Sequence, residues 1–385
     1  MIKYDYTASP DFLAKYKANV VLPTQQRMAE YLRLVPKPFA TSYNKFFNQS
    51  FVADLLLARP NNLVDLINKI YTAFPELADR YWPAFLLKSL PVPEDIDTLK
   101  ARTADDKKRL DAICIETVKF LSQPIFYNCS FIKHIKSEIE NAHDYISRRK
   151  YLKKLSLAAC GQVDTRGDYL NIFPAWVEAF SSVFSYSDFS RKLGLSLVKE
   201  WEIDFCLYCN NEGIQTRGKK TEYRAALDHF HPQSKFPFLA VTLSNLVPSG
   251  GICNSAYKKD KDMIDFAHPY VSGVTGQTLF FIDYPAGEKI AANNYSVRVM
   301  PQGGNIDRSL QEFEIAHLYS NDREMRHWLC ATFETVEWAL GYGEIPRHII
   351  NQIVDISKPP HAVRAKKFKI DTVNQFAGKA LLSFP

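Results

Sequence analysis

A chain of 385 residues exceeds one ordinary domain and suggests two or three packed units at roughly 150 residues each. Hydrophobic residues at 46%, charged residues at 23%, 20 Tyr and 26 Phe are the composition of a folded chain and exclude extended disorder. A net charge of +6 is compatible with a polyanionic partner without requiring one; no apolar run reaches the roughly 18 residues of a membrane span, and the opening MIKYDYTASPDF lacks a secretory core, so a cytoplasmic protein is expected.

From about residue 23 to 200 apolar residues recur at three and four, which predicts helices over QQRMAEYLRLV, SFVADLLLAR, LVDLINKIYTAF and the long stretch FIKHIKSEIENAHDYISRRKYLKKLSLAA. Pro23, Pro60, Pro75, Pro91 and Pro93 punctuate the segments where helices stop or start, and EDIDTLKARTADDKK is a polar connecting stretch. Near residue 165 the sequence turns aromatic, YLNIFPAWVEAFSSVFSYSDFSRKLGLSLVKEW. Its helical spacing predicts packed core ahead of a base-stacking surface.

After residue 271 short β-like runs, LFFIDY and YSVRVM, mix with two strong helical patterns, REMRHWLCATFETVEWALGY and PRHIINQIVDI. The basic run Arg364, Lys366, Lys367 and Lys369 is expected as a solvated face, with phosphate contact the alternative. The expected organisation is a helical N-terminal region (1–164), a central unit with its aromatic lead-in (165–272, core 206–262) and a mixed accessory region (273–385). The expected fold class is α+β, mostly helical.

Seven cysteines without a secretory signal argue against a disulfide framework. Cys114, Cys129, Cys160 and Cys330 stand alone and are expected as buried packing residues. Cys206 and Cys209 form a C-x-x-C, and Cys253 follows further along. Between and just after them lie Asp228 and His229 in LDHFHPQS, Asn245 in SNLVP, and Asn254 in CNSAYKK. A neutral imidazole is suited to take a proton from water, and a carboxylate with an amide carbonyl suits a hard divalent cation.

This order of motifs, C-x-x-C, then L-D-H-x-x-P-x-S-K, then N-L-x-P, then C-N-x-x-x-K, resembles the HNH endonuclease family, over roughly residues 183 to 272. FSYSDF upstream and His268-Pro269-Tyr270 downstream extend the likeness to bacterial stand-alone HNH proteins. The resemblance implies a central ββα-metal (His-Me finger) core and hydrolysis of phosphodiester bonds, DNA being the favoured substrate. It assigns His229 as general base, Asp228 and Asn254 as ligands of a catalytic Mg²⁺ or Mn²⁺, and Asn245 to the loop that orients His229. Lys258 and Lys259, on the helix that follows, are expected as phosphate contacts with a solvated helix face the alternative, and Ser234 and Lys235 are weaker candidates of the same kind. His231, at a position usually aromatic in the family, is a stacking or phosphate contact rather than a ligand. His268 is expected as a buried, hydrogen-bonded histidine.

Many family members brace the hairpin with a structural Zn²⁺ on two C-x-x-C pairs, which makes Cys206, Cys209 and Cys253 three ligands. Where the fourth should stand this chain has Gly250, so either another side chain or a water completes the tetrahedron, or the zinc is lost and apolar packing replaces it. A looser likeness to the HNH subunits of anti-phage defence systems implies an ATPase or other defence-system subunit as partner. The alternatives are a catalytically silent nucleic-acid-binding module or a scaffold subunit of a defence complex. No H-E-x-x-H, Walker-type loop or G-x-S-x-G is present to suggest another hydrolase.

Overall fold

Ser9 opens the first helix by accepting a hydrogen bond from the Phe12 N–H at 3.2 Å, which satisfies one of the free donors of the first turn. The helix runs through Pro10–Tyr16, a π turn at Lys17–Val21 and Leu22–Leu32, so Pro23 does not end it as the proline punctuation predicts. Proline removes one backbone donor and crowds the preceding turn; the wider π turn just ahead of it absorbs both defects. The long stretch predicted over 131–159 is two helices, Ser130–Asn141 and Tyr145–Ala159. Ala142 turns extended, and the Asp144 carboxylate restarts the helix by accepting the Ser147 N–H at 2.8 Å.

These features belong to a computed structural model that describes residues 1–5, 7–163, 169, 171–214, 216, 224–291 and 293–385. Helix accounts for 58% of the described residues, well above the usual third, and the described strands form two antiparallel pairs, which defines a mostly helical α+β protein. The first pair joins β1 (Ala226–His229) to β2 (Leu246–Ser249), setting Asp228 opposite Val247 and His229 opposite Leu246. A short helical segment of π type, Cys253–Lys258, follows directly. The second pair, β3 (Phe280–Asp283) and β4 (Ser296–Val299), coincides with LFFIDY and YSVRVM.

One apolar core takes residues from all three expected regions, among them Leu55, Phe180, Tyr208, Val247 and Phe368. Asp164 and Thr165, at the expected first boundary, lie outside the described residues. Phe173, Phe180, Phe184, Phe189 and Trp201 of the aromatic lead-in are buried, so that segment is packing surface. Cys160, expected inside, is exposed at a helix end. The basic run is neither solvated nor free for phosphate. Arg364 pairs with Asp322 at 2.6 Å, Lys367 is buried against Asp371 at 2.8 Å, and buried Lys366 donates to the Asp355 carbonyl at 3.3 Å.

Candidate active site

The turn after β1 carries residues 230–245 back to β2, and Asn245 ties its two ends together. Asn245 is fully buried; its amide oxygen accepts the His231 N–H at 2.8 Å, and its amide nitrogen donates to the carbonyls of His231 at 2.9 Å and Leu239 at 3.1 Å. These three bonds fix both ends of the segment that ends at Ala240. The Ala240 carbonyl lies 2.8 Å from His229 Nε2. A carbonyl can only accept, so Nε2 carries the hydrogen and Nδ1 is left as the basic nitrogen.

His229 is half-buried, with Tyr186 edge-on to its ring at a centroid distance of 4.4 Å. Burial first, then the charge of Lys258, pushes its pKa down to about 4, against an opposing contribution from the Ala240 carbonyl. The imidazole is therefore neutral at physiological pH.

Asp228 is buried and already has two partners: Tyr208 donates its hydroxyl to Oδ2 at 2.6 Å, and Lys258 Nζ lies 3.0 Å from Oδ1. Burial raises the carboxyl pKa, and Lys258 is the larger of the opposing influences. The same ammonium donates to the His229 carbonyl at 2.7 Å. Asp228, His229 and Asn254 line one pocket of about 240 Å³, together with Ser234, Lys258, Lys259 and Asp260. A larger cavity of about 720 Å³ adjoins it through Ser234, Lys258, Lys259 and Asp260, and adds Lys235 and Lys261 to the wall.

The structure thus brings Asp228, His229 and Asn254 together and leaves Lys259 exposed beside them, with Lys235 half-buried in the adjoining wall. It does not present Lys258 or His231 to solvent. Lys258 is 1% exposed and committed to Asp228; His231 is 2% exposed, its Nδ1 hydrogen-bonded to the Asp262 carbonyl at 2.8 Å. Neither is free to meet a phosphate in this conformation, because each is engaged inside the protein. His268 is buried, as expected, and its Nδ1 accepts the Tyr270 N–H at 3.1 Å. Tyr208, the Ala240 carbonyl and Tyr186 escaped the sequence reading. A backbone carbonyl has no letter, and Tyr208 stands between two cysteines that draw the attention.

Asp228 and Asn254 offer the oxygen donors that a hard dication takes, and the Lys258 ammonium is a stand-in cation on the carboxylate, so the donor set fits a divalent ion once Lys258 moves aside. The second candidate set stands apart from this pocket. Cys206, Cys209 and Cys253 are buried with their sulfurs all within 4.8 Å of one another, a spacing that suits ligands on one tetrahedral ion at Zn–S distances of about 2.3 Å. Hydrogen bonds from the Cys206 and Cys253 thiols hold the Cys209 pKa well below the usual value, and the N–H groups of Asn211 and Glu212, each 3.4 Å from the sulfur, act in the same direction.

No protein-family profile, no curated protein and no solved structure matches this chain.

Proposed function

We propose that the chain is a metal-dependent HNH endonuclease that hydrolyses phosphodiester bonds in nucleic acid, with DNA the favoured substrate and bacterial anti-phage defence its setting. The observation that carries this reading is the shared pocket of Asp228, His229 and Asn254, in which a neutral histidine with a free Nδ1 stands beside two oxygen donors. In this reading β1, β2 and the helical segment after them are a ββα-metal core.

His229 Nδ1 takes a proton from water as the water oxygen bonds to phosphorus and the bond from phosphorus to the 3′ oxygen breaks; the leaving oxygen is reprotonated from solvent. A divalent ion such as Mg²⁺ or Mn²⁺, held by Asp228 and Asn254, would neutralise the charge gathering on the phosphate and the leaving oxygen. Before that, Lys258 must give up Asp228, and its ammonium is then free for a phosphate oxygen. Lys259 and Lys235 line the path of the backbone as point charges. Zn²⁺ on the three cysteines would brace the start of the helical segment without entering the chemistry.

A second reading, a catalytically silent nucleic-acid-binding or scaffold subunit acting with an ATPase partner, draws on the fact that Lys258 already neutralises Asp228. Cleavage decides between them. Purified protein is incubated with plasmid DNA, single-stranded DNA and RNA in Mg²⁺ or Mn²⁺, beside EDTA and His229→Ala. The expected result is metal-dependent cutting that falls about 10²–10⁴-fold in the variant at unchanged thermal stability. Equal cutting by the variant, or binding without cutting even when the partner subunit is added, overturns the nuclease.

A further inference from the structure

Gly250 stands where a fourth cysteine would be expected, and a Cβ built there would overlap the carboxylate of Glu212. The backbone does not demand glycine at this position, since its φ lies outside the left-handed region. What a Cβ would meet is the far end of the Glu212 side chain, which reaches across from the loop after C-x-x-C. Its location is fixed from both sides. The Cys206 N–H donates to the Glu212 carbonyl at 2.9 Å, the Glu212 N–H meets Cys209 Sγ at 3.4 Å, and its carboxylate accepts the Ile252 N–H at 3.2 Å. Ile252 immediately precedes Cys253, so the carboxylate bridges the two chain segments that supply the sulfurs.

We propose that Glu212 is the fourth ligand of a Cys₃Glu zinc site, its carboxylate taking the place of the side chain missing at residue 250. The proposal rests on reading the three cysteines as a metal site and is independent of the nuclease. Glu212 lies outside the 4.8 Å mutual contact that joins the sulfurs, so ligation requires it to release the Ile252 N–H and rotate toward them. Glu212 is half-buried. Carboxylate oxygen is an ordinary zinc donor at about 2.0–2.2 Å, and one carboxylate for one thiolate leaves the charge of the site unchanged.

The full chain is loaded with Zn²⁺, its affinity is measured by competition with a chromophoric chelator, and ligand type is read from the absorption of the Co²⁺-substituted protein. The wild type should bind one ion with a three-sulfur, one-oxygen spectrum. Glu212→Ala should bind at least about tenfold more weakly. Gly250→Cys with Glu212→Ala should restore binding with a four-sulfur spectrum. Glu212→Gln retains an acceptor for Ile252, and equal unfolding of Glu212→Gln and wild type in chelator establishes that lost affinity is not lost folding. Zinc bound by the wild type with equal affinity in Glu212→Ala, or a nitrogen signature in the fourth position, overturns Glu212 as ligand and leaves the cysteine site standing. No metal bound by the wild type overturns both.

Discussion

His231 is the clearest case of a histidine whose charge the fold forbids. It is buried, its Nδ1 is bonded to the Asp262 carbonyl, and burial lowers its pKa to about 4 from 6.5. Between those values the unfolded chain binds a proton that the folded chain does not, so the folded state is favoured as pH rises. The stability is complete above about pH 6.5 and is lost as pH falls toward 4, by on the order of 3 kcal/mol from this residue. Denaturant midpoints measured from pH 4 to 8 should show the decline, and His231→Asn, which keeps a donor for Asp262 but cannot protonate, should flatten it. An unchanged slope in the variant would assign the decline to other groups.

Lys258 allows a test of the same kind for Asp228. Lys258→Met leaves a buried carboxylate with Tyr208 as its partner, and breaking such a pair from one side costs about 3–5 kcal/mol. Mg²⁺ should then stabilise the variant more than the wild type, because the ammonium no longer competes for the carboxylate. Equal shifts in melting temperature on adding Mg²⁺ would remove Asp228 as a metal ligand. At this scale the sequence reveals residue types but not their commitments. Asp228, His229 and Asn254 are legible because their order is distinctive. That Lys258 is spent on Asp228 follows from the π-type segment turning its side chain inward, which no spacing rule announces.

Among the elements, the segment from β1 to β2 has the most to lose from a single change. Asn245→Ala would strand the His231 N–H and the carbonyls of His231 and Leu239 inside the protein, a loss of about 3 kcal/mol or more. The Ala240 carbonyl that orients His229 follows immediately after Leu239, so in the proposed nuclease kcat per folded molecule should fall with little change in KM, whereas a purely destabilising change lowers only the folded fraction. Stability and steady-state kinetics on the same preparation check both. The elements themselves were largely legible: β3, β4 and most helices follow their apolar periodicity. The failures were local. Pro23 runs on inside a helix because a π turn receives it, and the break at Ala142–Asp144 is set by a cap rather than by a change in hydrophobic pattern.

For the whole molecule, the three expected regions are joined by bonds that reach directly into the central unit. From the N-terminal side, the Ile2 N–H donates to the Leu207 carbonyl at 2.8 Å, Tyr16 donates to the Val241 carbonyl, and Thr242 and Ser244 donate to the carbonyls of Leu55 and Ala58. From the C-terminal side, Tyr319 donates to the Cys209 carbonyl at 2.9 Å, and Asn211 donates to Asp322 at 2.7 Å. Asn210, held at a φ of 53°, donates to the Val363 carbonyl at 3.2 Å and accepts the Lys366 N–H at 2.9 Å. A fragment of residues 183–272 would leave these groups without partners and expose the apolar surface that Leu55 and Phe368 cover within the shared core. Such a fragment should therefore show neither a cooperative thermal transition nor protease resistance, even with Zn²⁺, while the full chain unfolds with coincident near- and far-ultraviolet circular dichroism transitions. A fragment that folds on its own would mean that the flanks are attachments to a self-sufficient unit; an unfolded one means that they complete its core.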